Sequence, residues 1–298
     1  MSLSNVTNSP NIQNDIDKIN WIIVLLVRWT HPIIFLFGVI SNTLNIYVFT
    51  RPSLRQNPCC MYFLSSSITA LIYTIINLPL RTLQYGYKID PTTYLRSLCK
   101  IKYFFTFTWR ALTSWYLVLA CFDRFLHSSS NVNLRQLSSF KVASRTILLT
   151  FILINIVYSH VLVFYKINLT SSCTRPPLLM FLFSILTLQH VHRRRIMPVT
   201  IQSNRVNRDA NKDRHLLRMV FIQCLFVGLT TTAYACIQLY TSLTEYQIKD
   251  RLQLTKDNLF IIIFGSISAT GHSTTFFVFV LTSKFCRQQL FRRHQERM

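Results

Sequence analysis

Two arginines in strongly apolar surroundings are the residues of this sequence best suited to chemistry. Asp123 and Arg124 end an apolar run, and Arg110 lies 14 residues earlier in the same run. On an α-helix this spacing places both arginines on one face, about 21 Å apart. A charge within an apolar helix is costly unless it has a partner. We therefore expect Arg124 to pair with Asp123, and Arg110 to bind either an anionic group or polar neighbours. Arg81 ends an earlier apolar run and either joins Arg110 on an anion or extends to a polar surface.

No residues with catalytic or metal-binding spacing stand out. The apolar runs contain no carboxylate pair, no nucleophile beside a base and no phosphate-binding loop. The eight cysteines lack CxxC or Cys/His spacing, and most are interpreted as buried thiols. His272 has no ligating residue spaced around it, so we expect a satisfied interior histidine. The sequence therefore predicts no enzyme activity, no cofactor and no metal site.

The elements that must position these residues are long apolar helices. Half of the 298 residues are hydrophobic, only 14% are charged and five are glycine. About 20 apolar residues suffice for a helix to cross a hydrocarbon core of roughly 30 Å. Apolar runs of this kind are found at 21–50, 61–80, 101–122, 147–164, 176–191, 219–239 and 259–281. We expect an all-α fold, a seven-transmembrane helix bundle over 21–281, with an extracellular N-terminus over 1–20. The tail over 282–298 alternates apolar and basic residues and is expected to form a short amphipathic helix on the inner leaflet.

The distribution of charge predicts an orientation rather than a nucleic-acid partner. The formal charge is +22, but most of the 32 Lys and Arg lie in the gaps after runs one, three and five and in the tail. Such gaps face the cytoplasm. Two glycosylation sequons, at Asn5 and Asn168, fall on the opposite side. We therefore expect a multi-pass protein of the plasma membrane, with the N-terminus outside, the C-terminus in the cytoplasm and no bound nucleic acid.

The ends of the third run carry a resemblance to a known family. Asp123-Arg124-Phe125 resembles the Asp-Arg-Tyr motif of rhodopsin-like (class A) G protein-coupled receptors. Cys99 lies 25 residues before Arg124, about 37 Å along a helix, and therefore beyond the opposite membrane face. Cys99 and Cys173 together resemble the family's disulfide between helix three and the second extracellular loop.

Three further segments support this resemblance. Gly38 and Asn42 are similar to the family's Gly-x-x-x-Asn in helix one, and Pro79 matches its helix-two proline. The segment 128–135 is similar to intracellular loop two of invertebrate FMRFamide-type peptide receptors. The resemblance implies a receptor that couples an extracellular, peptide-like ligand to a heterotrimeric G protein across the lipid bilayer. It assigns the coupling switch to Asp123, Arg124 and Phe125, and it makes Arg110 and Arg81 candidate ligand contacts.

The sequence also departs from the family. The sodium-site aspartate of the family falls on Ala70, and its motifs in helices six and seven have no counterpart. The fifth run has only 16 residues, about 24 Å of helix, which implies a truncated fifth helix. A degraded or mis-assembled paralogue without signalling activity therefore remains an alternative. A membrane transporter is a second alternative, although it would be expected to show internal repeats and interrupted helices, and neither is found.

Overall fold

The computed structural model describes residues 10–90, 96–127, 132–159, 161–162, 166–167, 173–174, 209–244, 247 and 249–277. Its helices are α1 (Pro10–Phe49), α2 (Pro52–Arg55), α3 (Pro58–Arg81), α4 (Arg96–His127), α5 (Val132–Leu137), α6 (Phe140–Tyr158), α7 (Asp209–Leu243) and α8 (Arg251–Ser273). A π-helical turn, Thr82–Gly86, continues directly from α3. Two short strands, β1 (Lys166–Ile167) and β2 (Cys173–Thr174), pair antiparallel with Lys166 opposite Thr174. Within these ranges the fold is helical apart from this ladder.

Four stretches of helix are long and apolar enough to cross a membrane. They are Asn11–Phe49, Pro58–Gly86, Phe140–Tyr158 and Ile222–Thr241. Their outer surfaces carry large apolar side chains, such as Trp29, which is 71% exposed, and Leu148, which is 61% exposed. The interior holds polar side chains instead, including Asn42 and Gln223. Apolar surface of this extent is unfavourable in water and is solvated by lipid. The chain is therefore a membrane protein.

Helices α4 and α8 are not among these four, and both bury several polar residues. The buried polar residues of α4 are Thr106, Thr108, Arg110, Thr113, Asp123 and Arg124. Those of α8 are Asp257, Ser266, Ser268, His272 and Ser273. Polar side chains at membrane depth are stable only where they face other protein groups. These two helices therefore bring the polar groups of the interior together.

Local sequence determines where several helices begin. Asn57 precedes α3, and its side chain accepts a hydrogen bond from the Cys59 backbone N–H at 3.1 Å, while Pro58 occupies the first helical position. Ser139 precedes α6 and accepts from the Val142 N–H at 3.5 Å. Both are common helix starts, because a side-chain oxygen satisfies a backbone donor that has no partner within the helix. Asn57 and Ser139 therefore fix the starts of α3 and α6 beside the end of α4.

The helices pack around α4 and α1. Helix α4 contacts α3, α6 and α7, while α1 contacts α3 and α8, and α7 contacts α8. The approach of α1 is close at Gly38, where an added Cβ would lie 2.7 Å from Ser273 Oγ and 2.9 Å from Thr74 Cγ2. Glycine therefore allows three helices to meet at this position. A buried apolar cluster that includes Phe49, Phe63, Leu117, Ala120, Val227 and Phe276 joins the same helices nearer one end.

Six of the seven apolar runs overlap with helices of the structure, namely α1, α3, α4, α6, α7 and α8, of which α1, α3, α6 and α7 provide the four candidate spans. Helix α1 begins at Pro10, eleven residues before the first run, because proline suits a first helical turn and the polar residues that follow are compatible with a helix. The fifth run (176–191) and the tail (282–298) lie outside the described residues. Asn5 and Asn168 lie outside them as well.

Candidate functional site

Arg110 lies in the interior of the helix bundle, held by two tyrosines. Its side chain is 8% exposed, and its Nη2 donates a hydrogen bond to Tyr73 Oη at 2.7 Å. Its Cζ lies 4.3 Å from the ring centroid of Tyr234 and 5.4 Å from that of Tyr73. Within the described ranges no carboxylate contacts Arg110, and its Nε has no hydrogen-bond partner. The described residues therefore satisfy the guanidinium only in part.

Arg81 reaches the same tyrosine from α3. Its Nη2 donates to Tyr234 Oη at 3.4 Å. Its Nη1 lies 2.8 Å from the position that a Cβ would take at Gly265, so the bare backbone of α8 leaves room for this side chain. Tyr234 therefore meets one arginine at its hydroxyl and another at its ring face. Two cations converge on one neutral side chain, an arrangement that an anion between them would stabilise.

A hydrogen-bonded chain behind Arg110 orients Tyr73. Thr106 Oγ1 donates to Asn77 Oδ1 at 3.0 Å, and Asn77 Nδ2 donates to Tyr73 Oη at 2.9 Å. With Arg110 as a second donor, both lone pairs of the Tyr73 oxygen are occupied. The Tyr73 O–H is left to donate elsewhere. A hydroxyl donor beside a guanidinium is a further feature that suits an anionic group.

His272 completes the polar groups near Arg110. It is 2% exposed and lies within electrostatic range of Arg110. Neither ring nitrogen has a hydrogen-bond partner among the described residues. His272 is therefore interior as expected, but its hydrogen bonds are not satisfied, because no donor or acceptor among the described residues reaches the ring. A buried polar group in this state is costly, which makes His272 a candidate contact for a bound molecule.

A second polar site lies 14 residues further along α4, at its other end. Arg124 and Asp123 are buried, with 4% of each residue exposed, and Arg124 Nη2 lies 2.9 Å from Asp123 Oδ2. The same Nη2 donates to Asn57 Oδ1 at 2.7 Å, and Ser138 Oγ donates to Asp123 Oδ1 at 2.8 Å. Phe125 is exposed beside them. The ion pair is thus fastened to α3 through Asn57 and to the α5–α6 link through Ser138.

The remaining motif residues have structural contacts. Asn42 is fully buried, and its Nδ2 donates to the Gly38 carbonyl at 2.8 Å. Pro79 lies in the last turn of α3, and the Thr82 N–H reaches both the Leu78 and Pro79 carbonyls where the π-helical turn begins. Because proline has no N–H to donate, such a change of winding beside it is expected. It places Arg81 at the junction of the two helical forms.

The cysteines differ from the thiols that the sequence predicted. Cys99 is fully buried and takes part in a disulfide, while the side chain of Cys173 lies outside the described residues. The pairing of Cys99 with Cys173 therefore stays a prediction. Cys121 of α4 and Cys224 of α7 lie at disulfide distance, with their Cα atoms 7.7 Å apart. The buried-thiol interpretation did not anticipate this proximity, in which α4 and α7 bring two sulfurs together that lie far apart in sequence.

Sequence reasoning found the arginines and the pairing of Arg124 with Asp123, but it missed the partners that come from other helices and links. Tyr73 and Tyr234, which hold Arg110, are isolated polar-tipped residues in apolar runs. The only signal for Tyr73 is the helical spacing that puts it on one face with Ser66, Thr69 and Asn77. Asn57 and Ser138 lie in short polar links just before helices, and residues of these types are typical of helix starts.

Comparison with known proteins adds no family assignment. A scan of the chain against protein-family models finds no match, and a search among curated proteins finds no match either. Among the described residues, no group of three His, Cys, Asp or Glu could hold a metal ion. The function must therefore be argued from the two polar sites on α4.

Proposed function

We propose that this chain is a seven-helix receptor of the rhodopsin-like type, which binds an extracellular ligand with an anionic group and signals to a heterotrimeric G protein. The observation that carries the proposal is the convergence of Arg81 and Arg110 on Tyr234 without a carboxylate contact among the described residues. Buried charges in membrane helices persist where they serve function. An anionic group of the ligand would supply the missing partner.

The ligand site would draw on four helices. Arg81 and Tyr73 come from α3, Arg110 from α4, Tyr234 from α7 and His272 from α8. Each can offer a donor or a positive charge to one anionic group, and guanidinium groups bind carboxylates with two parallel hydrogen bonds. A ligand held by four helices can shift the equilibrium between two packings of the bundle only if it binds one of them more tightly.

The second site would act as the switch. Arg124 lies about 21 Å from Arg110 along the same helix, so that one rigid element joins the two sites. In the described packing Asp123 and Asn57 hold Arg124 inside. Release of Arg124 toward the cytoplasm would present a cation, beside exposed Phe125, to the G protein. The basic loops predicted on this side support that orientation.

A nucleotide-exchange assay with matched ligands tests the ligand part of the proposal. Membranes that contain the chain and purified G protein are exposed to pairs of peptides that differ only in one acidic side chain or its amide. We expect exchange to rise with acidic members alone and the response to disappear in Arg110→Met. A response to both members of every pair, unchanged in Arg110→Met, would remove the anionic ligand from the proposal.

The same material distinguishes the proposed receptor from the alternative of a membrane transporter. Vesicles that contain the chain are loaded with the acidic peptide, and its efflux is measured. We expect no efflux above that of empty vesicles. Efflux that saturates with concentration and stops in Arg110→Met, in the absence of any G-protein response, would favour a transporter over a receptor.

A further inference from the structure

Ser138 lies at the point where the switch site meets the surface. It occupies the two-residue link between α5 and α6, and its backbone N–H bonds to the Arg135 carbonyl at 3.1 Å. Its Oγ donates to Asp123 Oδ1, while Asp123 Oδ2 faces Arg124. One buried carboxylate therefore connects a half-exposed serine to the Arg124 guanidinium.

The surroundings of Ser138 are basic and open. Arg135, three residues before it, and Lys141, three residues after it, are both exposed, and so is Arg145. The sequence from 124 to 208 contains neither Asp nor Glu. Helix α5 has only six residues, five of them exposed, so few contacts oppose its local opening. Opening would present Ser138 in a basic, extended segment.

We propose that Ser138 is a phosphorylation site for a kinase that selects basic residues around its target serine, and that the phosphate opens the Asp123–Arg124 ion pair. The inference rests on the proposed orientation, which places this link in the cytoplasm. The kinase transfers the γ-phosphoryl group of Mg-ATP to Ser138. The bond from Oγ to phosphorus forms as the bond from phosphorus to the β–γ bridging oxygen breaks. The hydroxyl proton passes to the base of the kinase, and ADP leaves.

The product changes both interactions of Asp123. Phosphorylated Ser138 no longer carries the hydrogen that it donates to Asp123, and it brings a charge of about −1.5 to −2 against that carboxylate. It also offers Arg124 three acceptor oxygens that compete with Asp123. Repulsion and competition act in the same direction. Arg124 is therefore expected to leave Asp123 and Asn57.

Ser139 provides the matched control. It is the next residue, but its Oγ caps α6 by accepting from the Val142 N–H. A negative charge at that position stabilises the start of a helix. Among the described contacts, Ser139 has none with Asp123 or Arg124. The same charge at Ser138 and at Ser139 should therefore have different effects.

The first experiment locates the phosphate. The purified full chain in lipid nanodiscs is incubated with Mg-ATP and a kinase specific for serines that follow arginine, and phosphopeptides are mapped by mass spectrometry. We expect phosphate on Ser138, retained in Ser139→Ala, lost in Ser138→Ala and reduced about tenfold in Arg135→Gln. No phosphate on Ser138, while the kinase labels a reference peptide, would overturn the proposal.

The second experiment tests the opening without a G protein. Cys59 is fully buried two residues after Asn57, against the end of α4. The rate at which a maleimide labels Cys59 is compared in Ser138→Asp, Ser139→Asp and the unmodified chain. We expect a several-fold faster rate in Ser138→Asp only. Equal rates in both variants would refute the coupling of Ser138 to the ion pair, whether or not the chain signals.

Discussion

At the scale of single residues, the two arginines of α4 differ in how their charge is balanced. Arg124 Nη2 lies 2.9 Å from Asp123 Oδ2 and donates to the side-chain oxygen Oδ1 of Asn57 at 2.7 Å. Arg110 has the Tyr73 hydroxyl and two aromatic ring faces. A neutral environment of this kind returns only part of the free energy lost when a guanidinium leaves water. We therefore expect the poorly compensated charge of Arg110 to reduce stability and the paired charge of Arg124 to contribute to it.

Replacement of each arginine by methionine should therefore change stability in opposite directions. We expect Arg110→Met to raise the free energy of unfolding by about 1 kcal/mol, because a poorly compensated charge is replaced by an apolar side chain of similar size. Arg124→Met should lower it by about 3 kcal/mol, since it leaves Asp123 buried without its cation. Thermal unfolding of the purified proteins in detergent measures both. A loss of stability in Arg110→Met equal to that in Arg124→Met would contradict a binding role for Arg110.

Substitutions of Tyr234 test how its hydroxyl and its ring contribute to holding the two arginines. Tyr234→Phe removes the hydroxyl that accepts from Arg81 but keeps the ring face under Arg110. Tyr234→Leu removes both. We expect the leucine variant to be less stable than the phenylalanine variant by about 2 kcal/mol, the size of a desolvated cation–π contact. Equal unfolding temperatures for the two variants would show that the ring face contributes nothing.

At the scale of elements, α4 shows what a sequence can and cannot predict. The placement of Arg110 and Arg124 on one buried face follows from helical periodicity, and the apolar run at 101–122 predicted the central part of α4. The partners of Arg110 do not follow, since Tyr73 and Tyr234 reach it from α3 and α7. That contact depends on how three helices pack, and a single apolar run carries no signal for crossing geometry. The sequence Asn57-Pro58 indicates a helix start, but it carries no signal for the hydrogen bond between Asn57 and Arg124.

Two covalent links should tie α4 to the rest of the chain. The resemblance to rhodopsin-like receptors predicts Cys99 with Cys173, which would stabilise by about 4 kcal/mol for a loop of this length. The structure brings Cys121 of α4 and Cys224 of α7 to disulfide distance. Peptide mapping without reductant, after alkylation of intact membranes, should recover both linked peptides. Alkylated Cys99 and Cys173 in material from the cell surface would refute the first link, and alkylated Cys121 and Cys224 the second.

At the scale of the whole molecule, the proposed receptor requires that the ligand site open to the outside and that the switch open to the cytoplasm. Residues of α3, α4, α7 and α8 form the first site, and residues of α4, the start of α3 and the α5–α6 link form the second. Helix α4 connects the two sites. An apolar exterior and a polar interior are what a bilayer requires of such an assembly. The fifth apolar run (176–191) is too short for this arrangement of spanning helices. Its 16 residues give about 24 Å of helix, whereas the hydrocarbon core is roughly 30 Å thick.

We therefore expect either that the messenger RNA encodes about 25 further residues between Cys173 and Pro176, enough for a loop and the outer half of a crossing helix, or that the protein shows no ligand-dependent signalling. Sequencing of full-length transcripts decides this. A transcript that matches the present sequence would favour the degraded paralogue, in which a receptor fold persists without a complete ligand site. A robust ligand response from that same transcript, dependent on Arg124, would instead show that the short run suffices.

Basal nucleotide exchange provides the most direct test of the central proposal, that the Asp123–Arg124 pair restrains coupling to a G protein. Membranes with equal amounts of the unmodified chain, Asp123→Asn, and Asp123→Asn combined with Arg124→Ala are compared with purified G protein and no ligand. Loss of the carboxylate charge should release Arg124, so we expect Asp123→Asn to raise the exchange rate several-fold and the double variant to return it to background. An unchanged rate in Asp123→Asn, or a raised rate that persists without Arg124, would contradict the proposal.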